Sequence, residues 1–141
     1  MELLVKKLHP DAKMLERANH DDAGLDLCAL EEFTLEPGNR VAASTGIAVA
    51  IPTGHVGLIW DKSSVPFKYG VKTMGGVIDA QYRGEVKVLM VNLSQEPVTF
   101  TAGQKLAQLV VQKVELLPVK EVEDLDDTTR GEGGFGSSGT H

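Results

Sequence analysis

The sequence predicts an all-β fold of short strands, a sandwich, jelly roll or barrel. Two observations carry this. Prolines at positions 10, 37, 52, 66, 97 and 118 are spread along the chain, most beside Gly, Asn, Ser, Thr or Asp. Such pairs read as turns, because proline fixes φ and glycine permits positive φ. Between the turns lie short runs rich in β-branched residues, the composition of strands in a many-stranded β fold.

Taken in order, residues 11–18 contain good helix formers but a poor apolar stripe, and read as a loop. Residues 23–27 (AGLDL) are strand-like, and alternation sets Asp26 opposite its two leucines, on a solvated face. Strands are predicted over residues 47–51, 56–60, 86–93 and 106–114. Residues 86–91 (VKVLMV) are apolar on both faces, which predicts a central strand buried on both sides. Residues 63–69 can form a short helix, with serine at its start and Pro66 within the first turn. Residues 75–86 (GGVIDAQYRGEV) read as a β-hairpin with Asp79 and Tyr82 at its tip. After Pro118 the chain turns acidic (EVEDLDD, 121–127) and then Gly/Ser-rich, too poor in apolar area to order itself. The division is therefore a β domain over 1–120 and a flexible C-terminal arm over 121–141.

Composition narrows the function. A length of 141 residues suits one domain, and 42% hydrophobic with 24% charged residues supports a packed core. Fourteen Lys and Arg against twenty Asp and Glu give a net charge of −6, which argues against a general nucleic-acid binder. Cys28 is the only cysteine, so no intrachain disulfide forms and a reducing compartment is expected. Metal-binding Cys/His spacings are absent, as is any run approaching a membrane span. A cytoplasmic protein without a membrane partner is the expectation.

Five segments could carry chemistry. The RGEGGFGSSG run (130–139) reads on composition as a flexible terminus or linker. Alternatively it is a phosphate-wrapping arm, with backbone N–H groups, Ser137, Ser138 and the Arg130 fork as donors and Phe135 stacking on a base. Asp79 and Tyr82 are either ordinary turn residues or a carboxylate and ring that hold a water and a planar ligand together. Asp61-Lys62-Ser63-Ser64 is either a capped helix with a solvated lysine or an anion site. Asp26 and Gln108 each read locally as polar residues of a sheet.

Their order is more informative than any one of them. AGLDL, DKSS, GGVIDAQYRGEV, GQKLAQLV and RGEGGFGSSG follow one another from about Ala23 to Gly139. The series resembles the trimeric dUTPase family (deoxyuridine 5′-triphosphate nucleotidohydrolase). The resemblance implies a distorted jelly roll of the β-clip type, assembled as a homotrimer whose sites lie between subunits and are each completed by another subunit's arm. It implies Mg²⁺-assisted hydrolysis of dUTP to dUMP and pyrophosphate, which limits uracil in DNA and supplies dUMP for dTMP synthesis.

By the same resemblance Asp79 would orient and deprotonate the attacking water, and Tyr82 would pack on deoxyribose. The backbone of residues 73–78, with Gly76, Val77 and Ile78, would read the uracil edge. Lys62, Ser63 and Ser64 would contact phosphate oxygens, and Gln108 phosphate or the water. Asp26 would act on Mg²⁺ indirectly, through its water. From the arm, Phe135 would cover uracil, while Arg130, Gly136, Ser137 and Ser138 would complete the phosphate contacts.

This chain departs from the family pattern at several positions. Lys62 stands where arginine is common, Ser64 where glycine is, Leu25 where tyrosine is, and Thr73 where asparagine is. Asp61 is unusual beside a phosphate pocket, where it either holds Lys62 or lies turned away. The competing readings are a dCTP deaminase-like enzyme, which shares the fold, and a non-catalytic jelly-roll module.

Overall fold

The computed structural model describes residues 1–136 and 139. Among these residues ten strands and one short helix make up the regular structure, all strand pairs being antiparallel. One sheet has the order β1 (Leu4–Lys7), β4 (Arg40–Ala50), β8 (Glu85–Asn92), β6 (Val71–Thr73). The other has the order β2 (Leu25–Cys28), β10 (Lys105–Lys113), β5 (His55–Asp61), β7 (Val77–Ile78). A two-stranded ribbon, β3 (Phe33–Leu35) with β9 (Val98–Phe100), closes one end. This is the expected all-β, jelly-roll type of fold. Among the described residues no helix is long and apolar enough to cross a membrane.

The core lies between the sheets. Leu27, Leu106 and Leu109 from one sheet meet Ile47, Val86, Val88 and Met90 from the other, all essentially without solvent contact. Burying a side chain of this kind stabilises by about 1.5–3 kcal/mol relative to leaving it exposed. Phe100 plugs the ribbon end, stacked on Phe33 at 5.2 Å between ring centroids, with Tyr69 edge-on at 5.9 Å.

β8 corrects one expectation. It is central in its sheet, between β4 and β6, yet only one face is buried. Val86, Val88 and Met90 point into the core while Lys87 and Leu89 point out, as period-2 geometry requires. The apolar character of the outer face comes from Leu89 and Val91, and Leu89 lines a trough of about 490 Å³ with Met74 and Ala42.

The segment 75–86 corrects another. It is not a hairpin: β7 pairs with β5 in one sheet, and β8 pairs with β4 and β6 in the other. A turn does form at the tip, with the Tyr82 N–H donating to the Asp79 carbonyl at 3.1 Å, but its two arms diverge. Each arm has a better partner elsewhere. β8 zips along β4, and β7 is admitted beside β5 at Gly57, where a Cβ would lie 3.1 Å from that of Ile78.

β4 begins seven residues before the predicted strand, because its first half is built of small and polar residues. A register shift between Ser44 and Ala48 marks a bulge. Gly46 sits there at φ 71°, and its carbonyl accepts the Leu8 N–H at 2.7 Å. Helix α1 (Ser64–Tyr69) starts one residue late, with Ser63 as its N-cap and no side-chain capping bond. Residues 11–18 form a loop, as expected. Beyond β10 no regular element follows among the described residues.

Candidate active site

Three strands converge on one carboxylate. Asp26 on β2 lies opposite Gln108 on β10, and Gln108 lies opposite Trp60 on β5. Asp26 is not on a solvated face: it is 6% exposed. Two cations from other elements cover it, with Lys62 Nζ 2.6 Å from one oxygen and Lys105 Nζ 2.9 Å from the other. Burial pushes the Asp26 carboxyl up, but the hydrogen bonds and charges of Lys62 and Lys105 outweigh it and hold the group below the usual carboxylate range. Lys62 is thus paired rather than solvated, and Asp61 beside it lies turned away.

Gln108 is fixed from two sides. Its Nε2 donates to the Asp61 carbonyl at 2.8 Å, while its Oε1 lies over Gly24. A Cβ at Gly24 would overlap that oxygen, so only glycine fits under the carboxamide. Ser63 and Ser64 are exposed at the start of α1, beside the same corner.

A second group of predicted residues lies elsewhere. Asp79 and Tyr82 are exposed at the turn between the sheets, lining a cavity of about 250 Å³ with Val77, Ile78 and Glu85. The Tyr82 ring is held by its own hydroxyl, which donates to the Glu85 carbonyl at 2.7 Å. The ring also packs over Gly84, where a Cβ would stand 2.5 Å from the hydroxyl oxygen. Gly76 extends the pairing of β7 with β5, its carbonyl accepting the Ile59 N–H at 2.9 Å.

One chain does not bring the two groups together. Ile78 lies opposite Gly57 on β5, so Asp79 falls past the Val56 end, whereas Lys62 follows the other end. The rise of a strand puts them roughly 20 Å apart. The arm keeps its own company: Arg130 Nε donates to the Gly133 carbonyl at 2.6 Å, and the Gly131 N–H to Thr128 Oγ1 at 3.0 Å. Phe135 is fully exposed at φ 51°, followed by Gly136 at φ 90°. Ser137 and Ser138 lie outside the described residues.

Among the described residues no three His, Cys, Asp or Glu side chains converge as a metal cage. A single buried carboxylate suits a Mg²⁺ ion that takes its other ligands from substrate phosphates and retained waters. With both oxygens paired to lysines, Asp26 fits such an ion only indirectly, through water, and only where a lysine leaves it for phosphate.

The family model described as dUTPase matches residues 10–139. The chain belongs to the dUTPase family. Over 146 aligned positions it is 49% identical to the deoxyuridine 5′-triphosphate nucleotidohydrolase of Rhodococcus erythropolis, covering all of this chain and 88% of that one. The dUTPase of Staphylococcus bacteriophage 80alpha, solved as a glycine-to-serine mutant with dUpNHpp, superposes with a TM-score of 0.90 at 31% identity, covering 99% of each chain. An aspartate-to-asparagine mutant of the dUTPase from phage phi11 of S. aureus, described with a coordinated structural Mg(II) ion, superposes at 0.83 and 30% identity over 88% of this chain and 98% of that one.

Within the dUTPase pattern, sequence reading missed Lys105 as a partner of Asp26, and Gly24 as the seat of Gln108. The small residue before Leu25 was the one available signal for the second. Nothing local signalled the first.

Proposed function

We propose that the protein hydrolyses dUTP, taken up with Mg²⁺, to dUMP and pyrophosphate. The observation that carries this is the full-length kinship to dUTP nucleotidohydrolases in a chain that presents Asp79 and Tyr82 together at an exposed turn. Water attacks the α-phosphorus, the bond to the bridging oxygen breaks, and pyrophosphate leaves. Asp79 orients the water and accepts its proton. A carboxylate is a weak base at neutral pH, so positioning is the larger contribution. Tyr82, braced through its hydroxyl, offers its ring to deoxyribose, and the backbone at Gly76, Val77 and Ile78 reads the uracil edge.

Lys62, Ser63, Ser64 and Gln108 take the phosphate oxygens, where Lys62 exchanges its bond to Asp26 for one to phosphate. Asp26, freed on one side, would hold a Mg²⁺ ion indirectly, through water. The ion supplies charge neutralisation on the triphosphate when bound. Arg130, Phe135, Gly136, Ser137 and Ser138 close over the nucleotide and exclude water.

The roughly 20 Å between Asp79 and Lys62 supports assembly, since a triphosphate does not span it. A homotrimer resolves this if one copy supplies Asp79 and Tyr82, a second Lys62 and Gln108, and an arm (residues 121–141) closes the site. A cytoplasmic location goes with this reading. The test incubates the protein with dUTP, dCTP, dTTP and UTP plus Mg²⁺ and measures pyrophosphate and ammonia. Pyrophosphate from dUTP, with at most slow release from the other three, is expected; ammonia from dCTP would mean deamination, and no product from any of the four would leave a non-catalytic module.

A further inference from the structure

Asp61 ends β5 in one sheet, and its side chain leaves that sheet. One carboxylate oxygen accepts the backbone N–H of Thr73 at 2.8 Å, and the other pairs with Lys72 Nζ at 3.0 Å. Thr73 closes β6 in the opposite sheet and is itself 8% exposed. The bond therefore ties the two sheets together where residues 73–78 start to cross between them. The rest of that crossing is hydrogen-bonded through backbone, with Met74 N–H to the Leu89 carbonyl at 2.8 Å, Ile59 N–H to the Gly76 carbonyl at 2.9 Å and the two residue pairs of β7 with β5, while Ile78 packs on the core. Asp61 is the side chain that sets where the crossing starts.

Asp61 is held in turn. Its backbone carbonyl accepts the Gln108 carboxamide, and the next residue is Lys62. The corner that faces phosphate and the segment that faces the base thus meet at one residue. We infer that Asp61 is a positioning residue for base selection: through the Thr73 N–H it fixes the backbone that distinguishes uracil from cytosine and thymine, and links that backbone to the phosphate corner. The assignment rests on the proposed dUTP hydrolysis. It also accounts for an aspartate next to a phosphate pocket, since its charge is spent on Thr73 and Lys72.

The test uses the full-length protein and three variants, Asp61→Ala, Asp61→Asn and Lys72→Met, each compared with the parent by circular dichroism and light scattering. For Asp61→Ala, loss of a charge-assisted bond to a buried N–H predicts a fall of about tenfold in the ratio of kcat/KM for dUTP over dCTP, carried by KM for dUTP, with kcat within about threefold. Asp61→Asn keeps an oxygen for Thr73 and restores most of the ratio. Lys72→Met removes only an exposed ion pair and leaves the ratio within about twofold. Amide hydrogen exchange at Thr73 is expected to quicken in Asp61→Ala alone.

An unchanged ratio with unchanged Thr73 exchange in folded Asp61→Ala would overturn the assignment. If Asp61→Ala fails to fold, a ratio in Asp61→Asn about tenfold below the parent would overturn it, because the acceptor is still present there. Failure of the underlying function is seen separately: the parent protein would release no pyrophosphate from dUTP, whatever the variants do.

Discussion

At the scale of single residues, carboxylates in this chain do three different jobs, and their surroundings sort them. Asp79 is exposed at a turn and free to meet a ligand. Asp26 is buried under two ammonium groups, and Asp61 is spent on a backbone N–H and a lysine. Asp79→Asn should therefore abolish turnover, by a factor on the order of 10² or more, while leaving nucleotide affinity within about tenfold. Single-turnover hydrolysis and titration with a non-hydrolysable dUTP analogue check the two halves.

Asp61 predicts an acid response. Burial pushes its carboxyl up, yet the Thr73 N–H and Lys72 bring it below its ordinary value. Its folded pKa is thus lower than its unfolded one, so the unfolded state binds more protons at low pH. The stabilisation is complete above about pH 4, the ordinary carboxylate value, and is lost as pH falls through the folded value. Urea midpoints measured from about pH 6 downward should drop less steeply for Asp61→Asn than for the parent protein. Of these placements only the turn at Asp79 was legible locally, because turn chemistry is local, and a role for Asp79 came from the family resemblance alone. Lys62 and Asp26 stand 36 positions apart, and their meeting is a product of sheet register.

At the scale of elements, legibility followed length and contrast. β5, β8 and β10 are long and rich in Val, Ile and Leu, and their boundaries were found within a residue or two. The three-residue strands β3, β6 and β9 carry too few positions for a period to show, and exist because remote partners fill their hydrogen bonds. The hairpin expected at 75–86 failed for a related reason. Local turn signals identify where a chain reverses, not which sheet each side joins. Asn92 makes the same point: fully buried, it donates to the Leu35 and Glu96 carbonyls and accepts from Ser94, pinning the β8–β9 turn, and no pattern announces it. The arm's composition reads equally as a flexible terminus, and its role came only through the family resemblance. A chain ending at Thr128 should keep its secondary structure and its assembly but lose activity by on the order of 100-fold, through lost donors and lost exclusion of water. Circular dichroism, light scattering and a pyrophosphate assay on the truncated protein decide this.

At the scale of the whole molecule, the fold class was readable from turns and β-branched runs, and the assembly was not. The outer face of β8 looked like core in the sequence because Leu89 and Val91 share it with Lys87, yet Leu89 stands 46% exposed beside Met74. An apolar trough of this kind on the face of a four-stranded sheet fits contact between copies. Light scattering on the parent protein should return about three times 15.1 kDa. Leu89→Asp should shift the mass toward one chain without unfolding it, since the side chain contributes nothing to the buried core. A parent mass of 15.1 kDa would remove the shared site.

The hydrogen bonds that knot Thr128 to Gly131 and Arg130 to Gly133 draw the arm's base into a compact loop. Joined by residues 121–127 to its own subunit, that loop would act as a tethered ligand whose local concentration is independent of dilution. Neither an armless chain nor a full-length Asp79→Asn chain should turn over dUTP alone. Co-refolded, they should complement one another, each lending the mixed assembly what the other lacks.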